Sequence, residues 1–248
     1  MKSAILITAR LKSTRLPLKV IKPIEGIPMI VHMLNRLKLA KTQEDIIICT
    51  STVAQDDPLE EIAYNEDVKC FRGHPDDVLV RLKDAAEEFN VETVINCTAD
   101  NPFVDPEYVD KLYFHHIKRS NDFSKIQGLP FGAFSYALSK EALTKVCNIK
   151  NEKNTENWHE YFLETDFFKW DSLVVTDERV MWEDLRLTVD YPEDFEFVQK
   201  IFEELWKDEK VFSLSEIVKL CRLRPDLVNI NRNMHQKKGI PIAIKKLV

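Results

Sequence analysis

Residues 3–19 read SAILITARLKSTRLPLK. A short run rich in isoleucine and leucine (3–9) passes directly into a segment carrying Arg10, Lys12, Arg15 and Lys19. A run of this length, apolar at consecutive positions, predicts a strand buried on both faces, with a basic loop leaving its carboxyl end. Working outward, the same kind of run recurs as DIIICTS (45–51), VKCF (68–71) and ETVINCTA (92–99). Between these runs lie stretches with helical apolar spacing: PMIVHMLNRLKLA (28–40), DPLEEIAYNE (57–66) and PDDVLVRLKDAAEEFN (75–90). Proline at a first-turn position opens the helix at 28 and another at Pro106. Strands alternating with helices over about the first 115 residues predict a mostly parallel sheet covered on both faces. Ligands of such sheets bind beyond the carboxyl ends of the strands, which selects the loops 10–19 and 100–103.

The second half is less regular. FGAFSYALSKEAL (131–143) predicts a strand and a helix, and LRLTVDYPEDFEFVQKIFEEL (185–205) a strand, a turn at Tyr191-Pro192 and a helix. LSEIVKLCRL (214–223) predicts a last helix before a basic tail, and the acidic, aromatic stretch ETDFFKWD (164–171) reads as solvated surface around buried rings. With no repeat, low-complexity tract or obvious linker, one domain over residues 1–248 is expected.

Bulk composition narrows the function. The 248 residues include 35 basic and 41 acidic side chains, a net charge of −6, which argues against non-specific binding to nucleic acid or to an anionic membrane. No stretch approaches the roughly 20 apolar residues of a membrane span. The apolar run between Lys2 and Arg10 is too short for a secretory signal and has no small-residue cleavage pattern, so a cytoplasmic protein is expected. Five scattered cysteines with no CxxC pair suggest neither a disulfide framework nor a structural zinc site.

The five glycines form neither a GxGxxG fingerprint nor a Walker loop, so a bound triphosphate would have to be gripped largely by side chains. The loop after the first strand offers four cations with Ser13 and Thr14 among them. Guanidinium groups take phosphate oxygens bidentately and lysine adds a compact charge. Charge alone leaves a solvated basic loop equally open; the place at a strand's carboxyl end favours function. Asp100, in TADNP, sits where a carboxylate could share Mg²⁺ with substrate phosphates, or could simply cap the loop. Asp190 repeats the arrangement after LRLTV, and the two form a candidate metal pair. HEYFL (159–163) lacks the second histidine of a zinc-protease helix, and His115-His116 read as packing or surface residues on a helix.

ITARLKSTRLPLKVIKPIEGIPMIVHMLNRL (7–37) resembles the N-terminal signature of CMP-Kdo synthetases and of the spore coat polysaccharide biosynthesis protein F family. RGHPDDVLVRL (72–82), TADNP (98–102), LRLTVDYPEDF (185–195) and FSLSEIVKLCRLRPDLVNINRNMHQK (212–237) are similar to later blocks of the second family, in the same order. The resemblance implies a Rossmann-like nucleotide-diphospho-sugar transferase fold, a three-layer α/β/α arrangement with a mostly parallel mixed sheet. It also implies CTP as donor, Mg²⁺ as cofactor and a homodimer. Residues 1–118 then form the CTP-binding half. Residues 119–248 form the half with the acceptor pocket, the second metal ligand and the dimer contact. By the same resemblance Arg10, Ser13, Arg15 and Lys19 correspond to the CTP-phosphate loop, with Ala9, Thr98 and Ala99 beside the nucleotide. Asp100 and Asp190 correspond to metal ligands, and Arg15, Lys19 and Asp100 carry the catalysis. Two positions depart from the family pattern: Leu18 stands where the motif has glycine, and Asn96 where the spore-coat family often has arginine.

The expected reaction is transfer of CMP from CTP to a sugar-like acceptor, with pyrophosphate released. Segment 120–165 is expected to build the acceptor pocket, with Gln127, Tyr136, Glu156 and His159 as polar contacts. Two alternatives stay open. A glycosyltransferase of related architecture would usually show a DxD metal motif, which ADNP lacks. A catalytically silent nucleotide-binding subunit is favoured only by Leu18.

Overall fold

The computed structural model describes residues 2–155, 157–236 and 242–245. In chain order the elements begin β1 (Ser3–Thr8), β2 (Pro23–Ile24), β3 (Ile27–Pro28), α1 (Met29–Leu37), β4 (Asp45–Ser51), α2 (Asp57–Asn65), β5 (Lys69–Gly73), α3 (Val78–Glu88), β6 (Thr93–Thr98) and α4 (Pro106–Arg119). They continue β7 (Phe123–Gln127), β8 (Tyr136–Ser139), α5 (Lys140–Ile149), α6 (Glu160–Leu163), β9 (Trp170–Val174), α7 (Pro192–Leu205), α8 (Leu214–Leu223) and α9 (Pro225–Val228). Among the described residues no helix is long and apolar enough to cross a membrane.

Seven strands form one sheet in the order β5-β4-β1-β6-β8-β7-β9, and β2 and β3 form a small antiparallel hairpin of their own. β5, β4, β1 and β6 run parallel, β8 alone runs against its neighbours β6 and β7, and β9 is again parallel to β7. The mostly parallel mixed sheet expected from the sequence is therefore present, with helices on both faces. β1 shows why the strands read as continuous apolar runs: Ile5 and Ile7 enter one core, Ala4 and Leu6 the other, and all four are fully buried. Each fully buried Ile or Leu contributes about 1.5–3 kcal/mol, so this central strand is a rigid base for whatever leaves its end.

From β1 the chain steps outward to β4 and β5, then returns to the other side of β1 as β6. The order reverses between β1 and β6, and the loops leaving their level ends, Thr8 opposite Thr98, flank a crevice. This is the topological switch point at which open α/β sheets bind ligands.

Several elements differ from the sequence reading. The strand expected over 185–189 is not one. The segment is extended and buried, but it makes a single parallel bridge, Phe131 with Arg186. Gly132, at φ +100°, turns the partner chain away after that one residue, and a Cβ there would lie 2.5 Å from the Thr188 nitrogen. The stretch 164–171 is also more than solvated surface. Trp170 and Asp171 open β9, an edge strand hydrogen-bonded to β7. β7 itself, FSKIQ, carried too weak an apolar signal to be read as a strand.

Candidate active site

The loop after β1 is fastened at its root. Ala9 N donates to Cys49 O at 3.2 Å and Leu11 N to Asp56 Oδ1 at 2.7 Å, while Leu11 and Leu16 are buried. Asp56, itself buried, also takes the Ser51 hydroxyl, an anchor that sequence reading did not identify. Ser13 Oγ accepts from Leu16 N at 3.4 Å, and the chain then passes through Leu18 at φ 57°, ψ 22° into a short 3₁₀ turn, Lys19–Ile21. The left-handed conformation explains the glycine preference at this position: a side chain there costs about 1–2 kcal/mol. Leu18 adopts it all the same, with 43% of its surface exposed.

That turn aims Lys19 into the crevice. Its Nζ lies 3.1 Å from Asp100 Oδ2, 2.9 Å from Asp190 Oδ1 and 2.6 Å from Val189 O. Arg15 Nη2 reaches the same Asp190 Oδ1 at 3.1 Å, and its guanidinium lies 4.6 Å from the centre of the Tyr191 ring. Asp100 and Asp190, 90 positions apart in sequence, thus meet at one ammonium group. The backbone holds them together as well, since Val189 N donates to Asp100 O at 2.8 Å.

Burial opposes the charge on both Lys19 and Asp190, but their mutual attraction wins. Asp100 and Asp190 keep the Lys19 pKa above its ordinary value. Lys19, then Arg15 and Arg186, hold Asp190 below the usual carboxylate value. Asp190 is therefore an ionised carboxylate at neutral pH.

The other candidates divide. Ala9 and Ala99 are buried at the strand ends, Ala99 N donating to Thr8 O at 3.0 Å, and the Thr98 hydroxyl accepts from Asn101 Nδ2 at 2.8 Å. Arg10 turns away from the aspartates to Pro75 O and to Asp76 Oδ1, at 3.0 Å for the latter, in the turn before α3. Asn96 is fully buried, donating to Leu6 O at 3.0 Å, so it serves the sheet interior rather than the crevice.

A second cleft, of about 340 Å³, opens at the carboxyl end of β7, lined by Lys125, Gln127, Phe131, Phe134 and Glu183 among others. Gln127 lines this cleft, whereas Tyr136 and His159 do not. They stack on each other one strand away, ring centres 5.6 Å apart, and Tyr136 in turn packs edge-on against Phe134. Burial, then Lys125, lowers the His159 pKa, and burial pushes the Tyr136 hydroxyl up to about 12. Glu156 lies outside the described residues.

Sequence reasoning did not single out Arg186, Asp194, Tyr191 or Asn231. Arg186 Nη2 is 3.3 Å from Asp190 Oδ2 and 2.9 Å from Asp194 Oδ2, and Nε is 2.8 Å from Asp194 Oδ1. The available signal was the spacing of Arg186, Asp190 and Asp194 at four-residue intervals around the turn at Pro192. That signal reads as helix-start chemistry until the fold brings Asn231 to the same group.

Two all-oxygen carboxylates that already share one positive charge are the donor set a hard divalent cation uses together with substrate phosphates. Among the described residues no third acidic, histidine or cysteine side chain joins them. The site thus fits an ion that keeps water or phosphate ligands, and does not fit an all-protein cage.

The sequence profile described as cytidylyltransferase matches residues 4–235. Spore coat polysaccharide biosynthesis protein SpsF of Bacillus subtilis (strain 168) is 28% identical over 227 residues, 89% of this chain and 94% of the relative. The structure of a cytidylyltransferase from Leptospira borgpetersenii serovar Hardjo-bovis superposes with a TM-score of 0.82 at 27% identity, covering 96% of this chain and all of that one. A CMP:2-keto-3-deoxy-manno-octonic acid synthetase complexed with CTP shares the fold at a TM-score of 0.62 and 16% identity, covering 82% of this chain and 99% of that one. The profile runs from the second residue of β1 to the segment beyond α9, so that crevice and cleft both fall inside it. The chain belongs to the cytidylyltransferase family, enzymes that draw a cytidylyl group from CTP.

Proposed function

We propose that this enzyme moves CMP from CTP to an oxygen of a sugar-like acceptor, releases pyrophosphate, and so activates the acceptor for surface polysaccharide or glycan synthesis. The observation that carries the reading is the meeting of Arg15, Lys19, Asp100 and Asp190 at the switch point, beside a sugar-sized cleft at the same edge of the sheet.

In this reading the acceptor oxygen attacks the α-phosphorus in line as the bond to the β-phosphate oxygen breaks. Lys19 and Arg15 turn from the aspartates to the triphosphate and stabilise charge building on the departing pyrophosphate. Ser13 completes the phosphate loop, joined by Arg10 once it leaves Pro75 and Asp76, with Ala9, Thr98 and Ala99 against the nucleoside. Asp100 and Asp190 would hold Mg²⁺, which when bound neutralises phosphate oxygens and polarises the reacting phosphoryl group. Gln127 would bind the acceptor in the cleft, against the rings of Phe131 and Phe134, with Tyr136 and His159 behind that wall. The reading includes one domain over residues 1–248, with nucleotide held by 1–118 and acceptor by 119–248, in a cytoplasmic homodimer.

The test is pyrophosphate release with each of the four nucleoside triphosphates and Mg²⁺ across ulosonic acids, sugar phosphates and phosphonates. Release with CTP and one acceptor class supports the reading and identifies the product. Release of a nucleoside diphosphate from a sugar nucleotide instead would replace it with glycosyl transfer. CTP that stabilises the fold while the whole panel stays silent would point to a binding subunit.

A further inference from the structure

The two oxygens of Asp190 face different surroundings. Oδ1 meets Lys19 and Arg15, the groups of the phosphate loop. Among the described residues Oδ2 meets only Arg186 Nη2, at 3.3 Å. Behind it stands Asp194, fully buried, whose side-chain partners among the described residues all lie in the same small network. Its Oδ2 accepts from the backbone nitrogens of Asp190 and Tyr191 at 2.9 and 3.0 Å and from Arg186 Nη2 at 2.9 Å. Its Oδ1 accepts from Arg186 Nε at 2.8 Å and from Asn231 Nδ2 at 2.9 Å. Asn231, also buried, ties the network to the segment after α9 and donates to Arg186 O at 3.2 Å.

We propose that Arg186, Asp194 and Asn231 are positioning residues that preset Asp190, fixing its backbone through Asp194 and its Oδ2 through Arg186 so that Oδ1 alone is presented to the reaction. The physical need is clear from the fold. Asp190 ends a segment with one β-bridge, so no strand ladder holds it, and a carboxylate on such a segment would otherwise sample several rotamers. The planar guanidinium grips both oxygens of Asp194 through two nitrogens while also reaching Asp190, a fixed fork that the single nitrogen of a lysine does not reproduce. Outer partners of this kind, when changed, typically weaken metal binding or activity 10–100-fold.

The inference rests on the reading of Asp190 as a ligand of the divalent cation, and the experiment separates the two. Mn²⁺ is titrated into the full chain with a non-cleavable CTP analogue, read by water-proton relaxation, for wild type, Asp190→Ala, Arg186→Lys and Asn231→Ala, with thermal melts alongside. The expected result is loss of the tight Mn²⁺ site in Asp190→Ala, about 10–100-fold weaker Mn²⁺ in a folded Arg186→Lys, and a smaller weakening in Asn231→Ala. Wild-type Mn²⁺ affinity in Asp190→Ala overturns the ligand reading and this inference with it. Loss in Asp190→Ala with Arg186→Lys within about twofold of wild type overturns the positioning role alone. Should Arg186→Lys fail to fold, Asn231→Ala decides: weaker Mn²⁺ supports the support network, and unchanged Mn²⁺ overturns it.

Discussion

Asp100 and Asp190 end at the same ammonium group but are delivered by different kinds of structure. Asp100 stands two residues beyond β6, a central strand paired on both sides, and its side chain remains 30% exposed, with Lys19 as its one ion-pair partner among the described residues. Asp190 stands on a segment without a ladder, its side chain 6% exposed, and contacts three cations. Main-chain hydrogen bonds position the first; side-chain charges position the second. The difference teaches where each is vulnerable. Asp100 can be removed without disturbing its support, whereas Asp190 is part of its own support.

The largest expected effect comes from comparing the two alanine variants. Both should lose metal-dependent turnover, but Asp190→Ala leaves Lys19, Arg15 and Arg186 short of a buried counter-charge and should also lose about 3–5 kcal/mol of stability. Asp100→Ala should change stability by less than about 1 kcal/mol. Turnover and urea melts on both variants check this, and equal stability losses would mean that the two aspartates are supported alike. Arg15 touches Asp190 but not Asp100, and its side chain is one-third exposed. Arg15→Ala should lower turnover on the order of 10²–10³ while leaving the melt nearly unchanged; near wild-type turnover would remove it from catalysis.

Gly132→Ala probes the Asp190 side from a distance. The added Cβ meets the Thr188 backbone, and the position is left-handed, so a destabilisation on the order of 3 kcal/mol is expected, with loss of turnover. A variant as stable and active as wild type would show that the 185–190 segment shifts freely. The smallest effect belongs to the phosphate loop. Leu18→Gly relieves a left-handed, partly exposed leucine, against the larger unfolded-state entropy of glycine, for a net gain of about 0.5–1 kcal/mol. A drop in melting temperature would mean that Leu18 packs against something when the site is working.

The sheet's first half was legible because the central strands β1 and β6 are buried on both faces and helices such as α4 carry a start signal, here Asp105 and Pro106. β7 and β9 were not legible. Lys125 and Gln127 interrupt the apolar run of β7, and β9 is an edge strand with one wet side. The segment before Asp190 was misjudged for the opposite reason: LRLTV alternates like a strand and is buried, yet it lacks a neighbour to pair with along its length.

By itself the sequence determined the alternation of strands and helices, the basic loop after β1 and the two strand-end or segment-end aspartates, because burial and charge leave their marks residue by residue. Only the tertiary structure decided that Lys19 would meet both aspartates and that Arg10 would turn to the 75–76 turn instead. It alone showed that Arg186, Asp194 and Asn231 share one buried network. Those contacts join residues up to 171 positions apart, and no local pattern encodes them, since a carboxylate's partner is set by which strand ends the sheet order brings side by side.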